Sequence, residues 1–250
     1  MLLTRTVNSL YNALISLVYP QACSLCGASV EDRGLGVACA RCWSSARTFT
    51  SKDIICWKCG ALSLGTIDPE KRDQVRCRRC DQDAFTVARA CGSYEGALRA
   101  SVLALKREPY ISQRLIGLLV EIQRRAPLDK ATLVIPVPLH PEREMARGFN
   151  QAAVIGSELA RAARLPFDQV SLSRTLPSER HRAGMDARAR RETVAGAFNV
   201  RYPRLIEGER ILIVDDVFTT GATVSACAAA LLNAGAKEVY VLTIARPLQH

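Results

Sequence analysis

Apolar and polar positions along the chain change period several times, and each change marks an element. Ala84 to Tyr94 carries a strand-like apolar run. Gly96 to Lys106 and Ser112 to Arg125 place apolar residues at i, i+3 and i+4, which predicts two amphipathic helices. Leu133-Val134-Ile135-Pro136-Val137-Pro138 reads as a buried strand running into a loop, Leu139 to Asn150, that carries His140, Arg143 and Arg147. A helix follows over Gln151 to Arg164, and Pro166 lies just beyond its end. Ser171 to Val194 is arginine-rich and poorly periodic, and Ala197 to Val200 reads as a short strand. Ile211 to Val214 is unbroken aliphatic sequence, the pattern of a parallel strand buried on both faces. Asp215 and Asp216 stand where it ends. The turn Thr219-Thr220-Gly221-Ala222-Thr223 then opens an Ala-rich helix to about Asn233, with Gly235 as its C-cap signal.

At 250 residues the chain can bury a full core and hold one large or two unequal domains. Leu2 to Val18 fits an amphipathic helix interrupted by Arg5, Asn8 and Asn12, and no segment is long and apolar enough to span a membrane. The formal net charge of +10 points to anionic partners. Residues 1–82 carry 11 Lys/Arg against 7 Asp/Glu, an excess that thiolates bound to metal would cancel. The remaining positive excess lies in the larger C-terminal part.

Eight of the ten cysteines form four Cys-x-x-Cys knuckles, Cys23/Cys26, Cys39/Cys42, Cys56/Cys59 and Cys77/Cys80, with spacers of 12, 13 and 17 residues. Each knuckle turns two sulfurs toward one metal, so consecutive knuckles predict two structural Zn²⁺ sites in series. Pairing first with third and second with fourth is the alternative. A region this small and poor in aliphatics needs the metal to fold. Its Arg41, Lys58, Arg76, Arg78 and Arg79 could meet nucleic acid. Trp43 and Trp57, each beside a zinc cysteine, either pack around the knuckles or, if exposed, stack on unpaired bases. Cys91 and Cys227 read as buried small hydrophobes.

The strand-end aspartates and the turn after them carry the candidate chemistry. A small-residue loop at a helix N-terminus directs backbone N–H groups and the helix dipole at an anion. Gly221 permits close backbone approach, and two carboxylates can accept hydrogen bonds from vicinal sugar hydroxyls. No Gly-Lys-Ser/Thr follows, which excludes a Walker loop. The stretch Asp215 to Thr223 resembles the 5-phosphoribosyl-1-pyrophosphate (PRPP) signature of type I phosphoribosyltransferases. The basic loop after the strand at Leu133 is the counterpart for pyrophosphate, and both loops are expected at one sheet edge. The arginine-rich stretch is expected to act as a flap that closes over the ligand.

Taken together, the four knuckles, Pro136-Val137-Pro138-Leu139-His140-Pro141, Arg147-Gly148-Phe149-Asn150-Gln151, Gly196-Ala197-Phe198 and Asp215 to Thr223 resemble the ComF family over nearly the whole chain. The resemblance implies an α/β fold: a type I phosphoribosyltransferase-like parallel sheet with flanking helices, preceded by a small double zinc ribbon. It divides the chain into an N-terminal helix (1–22), a double ribbon (23–83) and a phosphoribosyltransferase-like domain (84–250). It implies that Asp215 and Asp216 hold the ribose hydroxyls and serve catalysis. Thr219, Thr220, Gly221, Ala222 and Thr223 would cradle the 5-phosphate. Val137, Pro138, Leu139 and His140 would line the pyrophosphate loop, with Arg147 near it and Lys106 reaching the ligand. Mg²⁺ would accompany PRPP. After Lys106 the family often has an aromatic, a basic residue and glycine, where this chain has Arg107-Glu108-Pro109; its flap also departs from the family pattern. The family's association with DNA uptake implies single-stranded DNA and uptake-machinery proteins as partners. The setting is the cytoplasm, where incoming strands emerge at the inner face of the membrane. Two functions follow: a PRPP-binding protein that handles imported DNA, or a phosphoribosyltransferase acting on an acceptor the sequence does not specify. A phosphate sensor without DNA contact is a third.

Overall fold

The computed structural model describes residues 21–63, 71, 74–176 and 196–248. The helix expected over Leu2–Val18 and residues 177–194 of the expected flap lie outside the described residues. The described strands are β1 (Val87–Ser93), β2 (Leu133–Pro136), β3 (Leu172–Arg174), β4 (Phe198–Val200), β5 (Arg210–Val217) and β6 (Glu238–Arg246). The described α-helices are α1 (Ala40–Ser44), α2 (Gly96–Leu105), α3 (Gln113–Gln123), α4 (Pro141–Arg147), α5 (Gln151–Ala163) and α6 (Ala222–Asn233).

Four strands form one parallel sheet in the order β1-β6-β5-β2. Both faces are covered, which explains why β5 is aliphatic without alternation. Leu212 and Val214 pack with Leu115 and Leu119 of α3 and Ile155 and Leu159 of α5. Ile211 and Ile213 face Val224, Cys227 and Leu231 of α6. Strand β6, not anticipated from the sequence, occupies an interior position between β1 and β5. Strands β3 and β4 pair antiparallel as a separate ribbon.

Several boundaries move. The loop expected over Leu139–Asn150 contains α4: Pro141 supplies a preset first-turn φ, and Gly148 ends the helix at φ 84°. All of α4 is exposed, so it offers no apolar period to read. Asp215 and Asp216 lie inside β5, which runs on to Val217 because Asp215 and Val217 still pair with Thr243 and Ala245 of β6. Gly235 (φ 96°) follows α6, as expected.

The cysteine-rich region wraps the outer edge of β1. Phe49 N–H donates to Cys91 O at 2.8 Å, Ser93 N–H to Arg47 O at 2.9 Å and Ala88 N–H to Lys58 O at 2.7 Å. An edge strand that would otherwise expose a row of unpaired backbone groups is thereby covered. The region straddles the sheet. Cys23, Cys39 and Trp43 join the core on the α3 and α5 side, whereas Cys56, Cys59 and Cys80 join the core on the α6 side with Phe85, Ala88 and Phe218.

Candidate phosphoribosyl-binding site and cysteine clusters

The knuckles pair in sequence order. Cys23, Cys26, Cys39 and Cys42 form one cluster, and Cys56, Cys59, Cys77 and Cys80 form the other; within each, all sulfurs lie within 4.8 Å of one another. This excludes the interleaved pairing. Sulfur separations are 3.7 Å for Cys23/Cys42 and Cys26/Cys39, 3.6 Å for Cys56/Cys80 and 3.5 Å for Cys59/Cys77. A tetrahedron with Zn–S bonds near 2.3 Å has S···S edges of about 3.8 Å, so both donor sets fit zinc ribbons.

The two clusters repeat one local design. Gly27 N–H donates to Cys23 O at 3.0 Å and Gly60 N–H to Cys56 O at 2.8 Å. Cys39 N–H points to Cys23 Sγ at 3.4 Å and Cys77 N–H to Cys56 Sγ at 3.3 Å. Gly27 and Gly60 adopt φ of 74° and 69°, the left-handed turn that closes the first knuckle of each cluster. A hydrogen bond from Cys59, aided by backbone N–H groups including that of Cys77, holds the Cys56 thiol down to about 4 despite burial. The same Cys56–Cys59 hydrogen bond, with burial, raises the Cys59 thiol, and burial raises Cys80, so the metal-binding thiolate form is favoured at Cys56 and opposed at those two sulfurs.

Trp43 is 4 % exposed, and its indole N–H donates to Leu35 O at 2.8 Å, which removes it as a stacking platform for bases. Trp57 is half-buried with the Arg76 guanidinium 4.2 Å from its ring centre. Cys91 and Cys227 are buried, as expected, and burial raises both thiols.

At the carboxyl edge of the sheet, β2 and β5 are hydrogen-bonded neighbours, and Val137 N–H continues the ladder to Val214 O at 2.9 Å. The loop over Val137–His140 therefore lies beside the aspartates and the Thr219–Thr223 turn. Asn150 caps α5 and donates through Nδ2 to Val137 O at 3.0 Å, anchoring the loop to the helix. Its place immediately before Gln151, the first residue of α5, marks a cap, but only the fold shows this second contact. Pro138, Leu139 and His140 are half-buried, and His140 Nδ1 lies 3.8 Å from Glu142 Oε2. Arg147 is in the last turn of α4 and exposed.

Lys106, just past α2, reaches Asp216 Oδ2 with Nζ at 3.5 Å. Desolvation and the neighbouring Asp216 carboxylate push the Asp215 carboxyl up to about 8, opposed by the Asp216 N–H and Lys106. That N–H donates to Asp215 Oδ1 at 2.9 Å. Gly221 is the N-cap of α6 at φ 81°, and a Cβ there would lie 2.7 Å from Phe218 Cζ. Thr220 Oγ1 accepts from Ala222 N–H at 3.4 Å, Thr219 is exposed and Thr223 half-buried. The first turn of α6 opens beside the aspartates, and its N–H groups have no partner within the helix. The arrangement combines anion-directed donors, a carboxylate pair and one cation on adjacent loops.

Arg246, at the end of β6, was not anticipated. It is 4 % exposed, donates through Nη1 to Cys59 O, and lies 5.0 Å over the Phe218 ring. It joins the second cysteine cluster to the start of the Thr turn. A strand-terminal arginine gives no periodic signal by which to find it.

The phosphoribosyl transferase domain model matches residues 147–249, from the end of α4 to the C-terminal strand. The DNA utilization protein YhgH of Escherichia coli O157:H7 is 30% identical over 240 residues, covering 93% of this chain and 100% of the relative. The chain belongs to the ComF family. Other relatives include competence protein F of Haemophilus influenzae, 31% identical over 138 residues (53% of this chain, 58% of the relative). Competence protein ComFC of Bacillus subtilis is 34% identical over 119 residues (47% and 46%). Among solved structures, a purine phosphoribosyltransferase from Pyrococcus horikoshii Ot3 aligns over 54% of this chain and 82% of that one, at 16% identity and TM-score 0.34. A likeness that slight carries no argument. The fold assignment rests on the parallel sheet, the family model and the two cysteine clusters. No helix among the described residues is long and apolar enough to cross a membrane.

Proposed function

We propose that this ComF-family chain binds PRPP at the carboxyl edge of β2 and β5 and works in the cytoplasm in the handling of imported single-stranded DNA. One observation carries the ligand reading: the hydrogen-bonded pairing of β2 with β5 sets the Val137–His140 loop beside Asp215, Asp216 and the Thr219–Thr223 turn. The aspartates accept the ribose hydroxyls. The turn N–H groups and threonine hydroxyls hold the 5-phosphate, and the neighbouring loop, with Arg147, receives the diphosphate. Lys106 stands beside Asp216 to balance charge as the ligand enters. Mg²⁺ bound with PRPP would neutralise the diphosphate. Zn²⁺ in the two clusters would hold the ribbons folded against β1.

The DNA role is supported by the relatives named for competence and DNA utilization and by exposed arginines on the ribbons, among them Arg33, Arg41 and Arg78. Uptake-machinery proteins are the partners such a role calls for. Turnover of PRPP onto an acceptor is a second reading, favoured by a cavity of about 250 Å³ between the second cluster and Thr219.

Calorimetric titration of the zinc-loaded protein with PRPP and Mg²⁺ tests the ligand reading. The double variant Asp215→Asn/Asp216→Asn should lose PRPP affinity and keep its zinc and its fold; unchanged affinity would sink the site. For the DNA role, single-stranded DNA binding should weaken steeply with salt, and Arg41→Ala/Arg78→Ala should reduce the salt slope.

A further inference from the structure

We infer that Arg246 is a positioning residue that couples the second cysteine cluster to the phosphate turn, so that metal in the ribbon and phosphate in the cradle strengthen each other's binding. The inference rests on the cradle reading above and adds what holds the cradle in shape.

An arginine at a strand end ordinarily turns outward, because taking a guanidinium out of water is costly unless its charge and its donors are met. Arg246 is only 4 % exposed. The sheet fixes its backbone: Arg246 pairs with Ser93 of β1, and its carbonyl accepts from Tyr94 N–H at 2.8 Å. The side chain runs to the second cluster. There Nη1 donates to the carbonyl of Cys59, and a Cβ placed on Gly60 would lie 3.7 Å from that same nitrogen. The guanidinium thus packs on the turn that closes the Cys56–Cys59 knuckle. Four thiolates on one Zn²⁺ would carry a net charge of about −2, so the loaded cluster supplies counter-charge to this buried cation.

The same guanidinium reaches the cradle through one ring. Its carbon lies 5.0 Å from the centre of Phe218, within cation–π range. Phe218 is buried, with its N–H donating to Ala245 O at 2.9 Å. The tip of the ring abuts Gly221: a Cβ there would come 2.7 Å from Phe218 Cζ and 3.3 Å from Cε1. Gly221 is the left-handed residue that caps α6, and its conformation sets the direction of the N–H groups that follow. Contacts therefore run without a break from the knuckle carbonyl through the guanidinium and the ring to the turn. Metal that fixes the knuckle fixes Arg246, and Arg246 fixes the ring on which Gly221 rests. Helix α6 has a separate tie to the ribbon side, Ala84 N–H to Ser225 Oγ at 3.0 Å. Losing the arginine thus loosens the turn without releasing the helix.

Two ligands separate this role from general destabilisation. Ribose 5-phosphate uses the turn, whereas diphosphate with Mg²⁺ uses the loop after β2. Both would be titrated into the zinc-loaded full chain and its Arg246→Met variant. Zinc affinity would be read by competition with a chromogenic chelator, with and without ribose 5-phosphate. Arg246→Met should weaken ribose 5-phosphate by about tenfold and leave diphosphate unchanged. Coupling of binding free energies is reciprocal, so saturating ribose 5-phosphate should tighten one of the two zinc ions by about fivefold in the wild type and neither in the variant. Should Arg246→Met misfold, Phe218→Leu removes the ring contact and should give the same pattern. Ribose 5-phosphate affinity that survives both variants would overturn the inference and leave the cradle standing. So would an equal loss for both ligands, or wild-type zinc affinity indifferent to ribose 5-phosphate. Failure of ribose 5-phosphate to bind the wild type would overturn the cradle and the coupling together.

Discussion

Burial and the adjacent Asp216 carboxylate favour the protonated form of the Asp215 carboxyl. They push it up to about 8 in the folded chain, against roughly 4 when unfolded. Between those values the folded state holds a proton that the unfolded state has released, so stability falls as pH rises through this window. Asp215→Asn should remove that slope; parallel wild-type and variant curves in urea melts at pH 5 and pH 8 would refute the assignment. Where a ligand requires the ionised carboxylate, binding below pH 8 releases a proton, and affinity should rise about tenfold per pH unit at most. Titrations in buffers of different ionisation heat would read this directly. Lys106 acts on the same pair from 3.5 Å while partly exposed, so Lys106→Met should weaken PRPP by about fivefold without unfolding the chain.

The weak point at the level of elements is the outer edge of β1. Gly92 lies under the ribbon: a Cβ there would meet Arg47 O at 2.2 Å, Leu98 Cδ1 at 2.6 Å and Thr48 Cα at 2.9 Å. Backbone on one side and a core leucine on the other leave no room to yield. Gly92→Ala should cost about 1–3 kcal/mol in denaturant unfolding. Gly117, in the middle of α3, meets nothing within 4 Å, so Gly117→Ala should stabilise by about 0.5–1 kcal/mol. The contrast separates close approach from general intolerance of substitution.

Across the whole molecule, the cysteine clusters are built into both cores and cover a sheet edge, so metal, edge protection and ligand site are linked. Zinc analysis should return two ions per chain. Chelation should remove on the order of 10 kcal/mol per site, promote association through the uncovered β1 edge, and lower PRPP affinity through the Cys59–Arg246–Phe218 contact. Retained PRPP affinity in metal-free, folded protein would break that link.

Much of this was legible in order of residues alone. The knuckle spacing, the aliphatic run before Asp215, the small-residue turn at Gly221 and the Gly235 stop are local signals, because turn geometry and burial on both faces act over a few residues. Sequence separation hides the rest. That β6 lies between β1 and β5 depends on pairing between distant segments, and α4 shows no apolar face because it buries nothing. The sequential pairing of knuckles followed the expectation from their spacing, whereas the burial of Trp43 and the meeting of Lys106 with Asp216 were decided by tertiary packing. So was the placement of a ribbon arginine and Arg246 on one cavity beside Thr219. Residue order sets which chemistry is present; long-range hydrogen bonding and close packing decide which of those groups share a site.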